Sequence, residues 1–72
     1  MEKVRRLDNS TKLKNPYTSI YDINGRKYTF TIEYTDGGVP YGFCRKLNEW
    51  GWLYDSYIQF KSGKLILAKR IS

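Results

Sequence analysis

The stretch YDINGRKYTFTIEY, residues 21–34, carries the strongest structural signal in the chain. Its Asn24-Gly25 pair tolerates the positive φ angles that both central positions of a type I′ turn require, so it predicts a β-hairpin with a two-residue loop. Large apolar residues then alternate with Thr and Glu, which predicts a second strand with one buried face. The residues on that face are Tyr28, Phe30, Ile32 and Tyr34.

Turn signals divide the chain from Tyr17 onward into five predicted antiparallel strands. Asp36-Gly37-Gly38 reverses the chain after the second strand, Asn48-Glu49-Trp50-Gly51 forms a four-residue turn, and Ser62-Gly63 closes the last hairpin. In these registers, the face of the sheet that carries Phe30 and Ile32 stays apolar along all five predicted strands. The core residues that they add are Val39, Tyr41, Phe43, Leu47, Trp52, Tyr54, Ile58, Phe60, Leu65 and Leu67.

These strands predict an all-β fold, because no helix of useful length covers the apolar face and the sheet must curl to bury it. We expect a five-stranded antiparallel meander forming an SH3-like or OB-like barrel over residues 17–72, bent near Pro40 and Gly42. Residues 1–16 are predicted to form a basic N-terminal arm or a short helix. In size, basicity and Tyr- and Thr-rich strands around a Gly-Gly turn, the chain resembles small chromatin-type barrel proteins, a likeness of fold that assigns no residue.

The composition excludes several kinds of site. A chain of 72 residues fits one small domain, and it has no histidine to act as a base or metal ligand. A single cysteine, Cys44, makes neither an internal disulfide nor a thiolate metal site. No apolar run is long enough for a transmembrane helix or a signal peptide, so we expect a cytoplasmic location and no membrane partner. Because the chain lacks histidine and has one cysteine, we also expect no metal or cofactor.

Catalysis is not expected either. Asp22, Asn24 and Glu33 match three positions of a calcium-binding loop, but the cations Arg26 and Lys27 occupy positions where the loop needs an oxygen ligand and a glycine. The predicted registers pair Asp22 with Lys27 and Asp55 with Arg70, which indicates cross-strand charge pairs rather than acid–base groups. Cys44 is predicted on the outward face opposite Asp55, where the carboxylate would raise the pKa of the thiol. The chain is therefore interpreted as a binding protein, not an enzyme.

Charge is concentrated at the two ends of the chain. The formal net charge is +6, and residues 61–72 contain four cations and no acid, whereas the middle of the chain is close to neutral. This pattern predicts an acidic partner, and nucleic acid is the favoured one. The candidate stacking residues are Tyr17, Trp50 and Tyr57, and the candidate phosphate contacts are Arg5, Arg6, Arg26, Lys27, Lys46, Lys61, Lys64, Lys69 and Arg70.

One predicted register places Lys27 directly opposite Lys46, a like-charge pair that is unfavourable unless an anion bridges it. This pair would support a phosphate site. A register shift of two residues, or splaying at Gly42, would separate the two lysines.

The outer face of the last two predicted strands is too apolar for free solvation. It carries Leu53, Asp55, Tyr57, Gln59, Ile66, Ala68 and Arg70. Either Val4, Leu7 and Leu13 cover it, or it binds a partner or a second copy of the chain through Tyr57 and Leu53. Trp50, predicted at a turn apex, is either an exposed anchor or packs on Trp52. The alternative function is therefore a small protein-binding inhibitor or adaptor, of the kind that phages and other mobile elements encode, which docks on a larger enzyme.

Overall fold

The computed structural model describes residues 10–72, so the predictions for residues 1–9, including Arg5 and Arg6, lie outside the described residues. These residues form one antiparallel sheet, nearly closed into a barrel, with no helix in the described range. The strand order is β6-β5-β4-β3-β2-β1-β7. The strands are β1 (Ser10–Ile23), β2 (Arg26–Asp36), β3 (Val39–Cys44), β4 (Glu49–Leu53), β5 (Tyr57–Phe60), β6 (Leu65–Leu67) and β7 (Lys69–Arg70). The predicted all-β barrel is confirmed.

The strand count differs from the prediction because two predicted strands are each interrupted. A turn over residues 54–56, in which the Tyr54 N–H donates to the Tyr57 carbonyl at 3.0 Å, separates β4 from β5. Ala68 separates β6, which pairs with β5, from β7, which pairs with β1. The C-terminal segment thus contacts both ends of the sheet and brings the barrel close to closure. β1 begins at Ser10, so residues 10–16 belong to a strand.

The first hairpin has the predicted geometry. Asn24 and Gly25 have φ angles of 55° and 82°, and Tyr21 pairs with Tyr28. The Asp22 carboxylate accepts a hydrogen bond from the Gly25 N–H at 2.9 Å, which stabilises the turn. Local sequence determines this element completely.

An irregularity near Glu33 changes which residues of β3 face inward. Ile32 pairs with Gly42 whereas Tyr34 pairs with Tyr41, so Glu33 is an extra residue in β2. A bulge of this kind reverses the alternation beyond it. We call the face that carries Phe30 and Ile32 the inner face. The prediction that Tyr34, Tyr41 and Phe43 share that face is wrong, because they lie on the opposite, outer face.

Cys44 is correspondingly on the inner face, where its side chain is fully buried in the core. The prediction that it points outward opposite Asp55 is wrong, because it assumed an unbroken alternation along β2. The exposed Asp55 lies instead in the turn between β4 and β5.

The third connection also differs from the prediction. β3 ends at Cys44, which pairs with Glu49, and the four-residue loop is Arg45–Asn48 rather than residues 48–51. Asn48, the last residue of this loop, has a left-handed conformation with φ 55°. Tyr41 consequently pairs with Trp52, which places Trp52 on the outer face.

The last hairpin is shifted by one residue. Its loop has three residues, 61–63, with Gly63 at φ 103° and the Phe60 N–H donating to the Lys64 carbonyl at 2.7 Å. Leu65 therefore pairs with Gln59 instead of Phe60. A one-residue shift moves every side chain to the other face, so the predicted core residues Leu65 and Leu67 are exposed, at 59% and 81%.

The same differences move residues of the predicted outer surface into the core. Leu53 and Ala68 are buried, and Ile66 is half-buried against the core. Leu53 is therefore not available as a surface anchor for a partner or a second copy. Leu13, one of the residues expected to cover that surface, packs against the core. The core cluster consists of Tyr21, Ile23, Phe30, Ile32, Cys44, Leu53, Ile58, Phe60 and Ala68.

Candidate nucleic-acid interface

Five aromatic side chains occupy the outer face of β2, β3 and β4. Two of the strands contain the same short pattern, Tyr41-Gly42-Phe43 in β3 and Trp50-Gly51-Trp52 in β4, and the two glycines pair with each other. Because side chains alternate along a strand, both patterns present their aromatic residues on one face and their glycines on the other. With Tyr34 of β2, they form the outer aromatic cluster: Tyr34, Tyr41, Phe43, Trp50 and Trp52.

The inner-face glycines make this arrangement compatible with the core. A Cβ atom on Gly51 would lie 3.0 Å from the Ile58 side chain and 3.3 Å from that of Phe60. The absence of a side chain at this position lets Ile58 and Phe60 pack directly against the backbone of β4. The outer cluster and the inner core are therefore supported by the same stretch of sheet.

Trp50 is the centre of the half-buried part of the cluster. Its ring stacks on that of Tyr41, with centroids 5.2 Å apart and planes 12° apart. The Phe43 ring is tilted against it at 5.2 Å between centroids, and the Tyr34 ring meets it edge-on at 6.0 Å. Trp50 is thus a strand residue held by three neighbouring rings, and its predicted place at a turn apex is wrong because the loop lies three residues earlier than predicted.

Two members of the cluster are fully buried. Trp52 is 1% exposed, and its indole N–H donates to the Asp36 carboxylate at 2.8 Å. Burial, with smaller contributions from the nearby Tyr34 and Asp36, raises the pKa of Tyr41 to about 12. The Tyr41 phenol is therefore uncharged at neutral pH. Trp50, Phe43 and Tyr34 retain partial exposure and remain available to a ligand.

Two exposed lysines lie beside the half-buried rings. Lys12 pairs with Tyr34 in the ladder between β1 and β2, and the backbone N–H of Lys61 donates to the Trp50 carbonyl at 2.9 Å. The acidic residue next to Trp50, Glu49, accepts a hydrogen bond from Ser62 at 3.2 Å. An aromatic surface is thus flanked by cations at two of its sides.

Among the three predicted stacking residues, only Trp50 belongs to this cluster. Tyr17 is 49% exposed on β1, paired with Ile32. Tyr57 lies in β5 and stacks on Tyr54, with centroids 4.4 Å apart and planes 11° apart. The structure therefore does not bring the predicted stacking residues together.

The proposed anion site between Lys27 and Lys46 is absent from the described residues. Lys27 pairs with Asp22, as predicted, but Lys46 lies in the loop after β3, with its ammonium group 5.0 Å from the ring centroid of Tyr28. The direct pairing of the two lysines is wrong because β3 ends at Cys44. Lys46 forms a cation–π contact instead, and Arg26 is exposed at the start of β2.

The C-terminal cations are exposed on or near the strands that close the barrel. Lys61 is the first residue of the last loop and Lys64 follows the loop, whereas Lys69 pairs with Asp22 on β1. The predicted neighbours Asp55 and Arg70 form an ion pair at 3.7 Å, and both side chains are so exposed that it contributes little to stability. Of these four cations, Lys69 and Arg70 lie on β7, which pairs with β1 at Tyr21 and Asp22.

The sequence analysis missed Tyr34, Phe43 and Lys12 as site residues. A partial signal for Phe43 was present in the two aromatic-glycine-aromatic patterns, each of which places its own two rings on one face of its strand; the observed pairing of Gly42 with Gly51 then brings the four rings together. Tyr34 and Lys12 depend on the bulge and on the start of β1, for which we find no local signal.

Within residues 10–72, no group of three or more histidine, cysteine or acidic residues could hold a metal ion. The same residues contain no helix that is both long and apolar enough to cross a membrane. Comparison of the chain with protein-family models, curated proteins and solved structures found no match.

Proposed function

We propose that the protein is a non-enzymatic nucleic-acid-binding module whose contact surface is the outer aromatic cluster. The observation that carries this proposal is the half-buried Trp50, held by neighbouring rings and flanked by the exposed Lys12 and Lys61. Aromatic side chains held in place lose little conformational freedom when a base stacks on them. The net charge of +6 supports an anionic ligand.

The chemistry of this surface suits single strands better than duplexes. A base must be unstacked before it can lie on an aromatic ring, and such stacking contributes about 1 to 3 kcal/mol per base without selecting a particular base. Lys12 and Lys61 would contact the phosphates on either side, and their binding would release counterions. The proposed ligand is therefore a single strand bound with little sequence preference.

The finer classification of the barrel is part of the same proposal. OB-folds bind oligonucleotides on a face built from their second and third strands, and the outer aromatic cluster spans β2, β3 and β4. The strand order here is a meander up to β7 and not the Greek key of an OB-fold, so the proposed likeness to OB-folds is confined to the position of the binding face. The proposed location is the cytoplasm.

A titration of a fluorescently labelled single-stranded oligonucleotide, followed by anisotropy, tests the proposal. We expect binding at low salt that weakens as salt rises, and weaker binding to the matching duplex. Trp50→Ala should weaken binding about 5- to 150-fold. Tyr17→Ala removes an exposed aromatic residue outside the cluster and should leave affinity unchanged, and thermal melting would verify that both variants fold.

Charge reversal gives a second, matched comparison. Lys61→Glu should weaken binding and reduce its salt dependence, whereas Arg26→Glu, which makes the same charge change at the first hairpin, should have a smaller effect. If neither single-stranded nor double-stranded oligonucleotides bind at low salt, the proposal is wrong. Binding that depends on Tyr17 and not on Trp50 would also contradict the proposed surface.

A protein-binding inhibitor or adaptor of phage or mobile-element type is the second candidate function. The exposed Leu65 and Leu67 favour it, because single strands of nucleic acid make little use of protruding aliphatic side chains. These leucines lie on β6, outside the outer aromatic cluster.

A further inference from the structure

β6 has one edge that no strand within residues 10–72 pairs with. It is the first strand in the sheet order, with β5 on one side, and the chain leaves it at Ala68 to pair with β1. Unpaired edges of this kind are templates for an added strand.

The hydrogen-bond pattern identifies which backbone groups point to the open side. The Phe60 N–H donates to the Lys64 carbonyl at 2.7 Å, and the Ala68 N–H donates to the Ser56 carbonyl at 3.1 Å. In an antiparallel ladder, alternate residues bond to the same neighbour, so Ile66 also bonds toward β5. The N–H and carbonyl groups of Leu65 and Leu67 therefore point to the open edge.

The side chains at this edge are unusual for an unprotected strand. Leu65 is 59% exposed and Leu67 is 81% exposed. The open edge of β1, in contrast, carries Lys12, Lys14 and Pro16, the residue types that discourage strand addition. β6 is the edge at which an extended segment would meet alternating backbone groups and apolar side chains together.

The surrounding charge indicates the chemistry of the occupant. Lys61, Lys64, Lys69 and Arg70 flank β6 in sequence, and all are exposed. At the C-terminal end of β6, Asp22 pairs with Lys69 and Asp55 forms an ion pair with Arg70, so the excess of positive charge lies at the N-terminal end, at Lys61 and Lys64. A second copy would bring the same cations and a net charge of +6 to the interface, which is unfavourable. Nucleic acid has the required charge, but its phosphates would be repelled by the carbonyl groups that alternate with the N–H groups along the edge.

We propose that β6 is a docking edge for an extended acidic segment of a partner protein, which adds a strand beside Leu65 and Leu67. The segment exchanges backbone hydrogen bonds with these two residues and places apolar side chains next to theirs. Acidic side chains at one end of the segment lie near Lys61 and Lys64. This site is separate from the outer aromatic cluster and does not depend on the proposed binding of nucleic acid.

The test uses the capped peptide Glu-Glu-Val-Thr-Val-Glu-Glu, with amide hydrogen exchange of the protein followed by NMR. We expect the peptide to slow exchange at Leu65 and Leu67 while Ile66, already bonded to β5, changes little. A peptide with lysine in place of glutamate, and one with N-methylated valines, should both bind at least about tenfold more weakly, a difference of about 1.4 kcal/mol.

Substitutions in the protein provide the matched control. Leu67→Glu should weaken binding of the acidic peptide about tenfold or more, whereas Thr29→Glu, the same added charge at an exposed position of β2, should not. Absence of protection at about 1 mM peptide overturns the proposal. So does protection of Leu65 and Leu67 by an oligonucleotide, or by raising the concentration of the protein alone, which would identify a second copy as the occupant.

Discussion

The indole N–H of Trp52 donates a hydrogen bond to the Asp36 carboxylate across 2.8 Å, and both side chains are buried. Asp36 is the last residue of β2, directly before the Gly37-Gly38 turn, whereas Trp52 lies in β4. A buried indole needs a partner because water cannot reach it. This bond therefore connects the second turn to the strand that carries the outer aromatic cluster.

Replacing Asp36 should destabilise the fold through this bond. Asp36→Ala leaves the Trp52 N–H buried without its acceptor, and we expect a loss of about 1 to 3 kcal/mol in the free energy of unfolding. Asp36→Asn retains an oxygen acceptor and should cost less. Urea denaturation followed by tryptophan fluorescence measures both values. Equal stabilities of the parent and the alanine variant would show that the bond contributes nothing.

The first hairpin could be predicted from sequence and the middle of the sheet could not, for a physical reason. The Asn24-Gly25 turn depends on the φ preferences of two adjacent residues. The bulge at Glu33 depends on how β2 and β3 fit together, and no residue near Glu33 requires it. Because one extra residue reverses the alternation, this single irregularity moved Cys44 inward and Tyr41 and Phe43 outward.

The buried position of Cys44 predicts slow chemical modification. A thiol with no exposed surface reacts with a disulfide reagent only when the protein opens. We expect the native protein to react at least about 100-fold more slowly than the protein in urea. Equal rates in the two conditions would mean that the Cys44 side chain points outward, as an unbroken alternation along the strands predicts.

The close approach of β2 to Gly42 gives a third prediction. A Cβ atom at Gly42 would lie 2.7 Å from the Thr31 carbonyl oxygen, so the backbone must shift to accept it. Gly42→Ala should therefore cost about 3 kcal/mol. Gly38 has φ +88° but open space around its missing Cβ, so Gly38→Ala should cost only the conformational strain, about 1 kcal/mol.

Thermal or urea unfolding measures the stability of both alanine variants. Gly42→Ala reports the cost of steric overlap, and Gly38→Ala reports the cost of conformational strain at positive φ. If Gly38→Ala lowers the free energy of unfolding more than Gly42→Ala does, the backbone around Gly42 shifts at little cost to relieve the close contact. The region of the bulge would then deform more easily than its geometry indicates.

The candidate site was predicted less well than the fold because it depends on register. Trp50 was identified from its residue type alone, but its neighbours Phe43 and Tyr34 share its face only in the observed pairing. A three-residue loop instead of a two-residue loop was enough to expose Leu65 and Leu67. The packing of β5 and β6 on the core determines the length of the loop at Ser62-Gly63. The glycine indicates a turn but not whether its loop has two or three residues.

The outer aromatic cluster also predicts a loss of stability at alkaline pH. Burial raises the pKa of Tyr41 to about 12, above its ordinary value of 10.0, and burial likewise raises the pKa of Tyr21. Between pH 10 and 12 the unfolded chain therefore loses protons that the folded protein keeps. The free energy of unfolding should decrease as pH rises through this window, and Tyr41 should have no effect on its pH dependence well below pH 10.

Tyr41→Phe isolates the contribution of this phenol, because other ionisable groups also titrate in the same window. The variant should lose less stability than the parent between pH 10 and 12, by at most about 1.4 kcal/mol per pH unit. Urea denaturation at a series of pH values measures the slopes. Parallel curves for the parent and Tyr41→Phe would mean that the Tyr41 phenol ionises as readily in the folded protein as in the unfolded chain, and that the centre of the cluster is open to water.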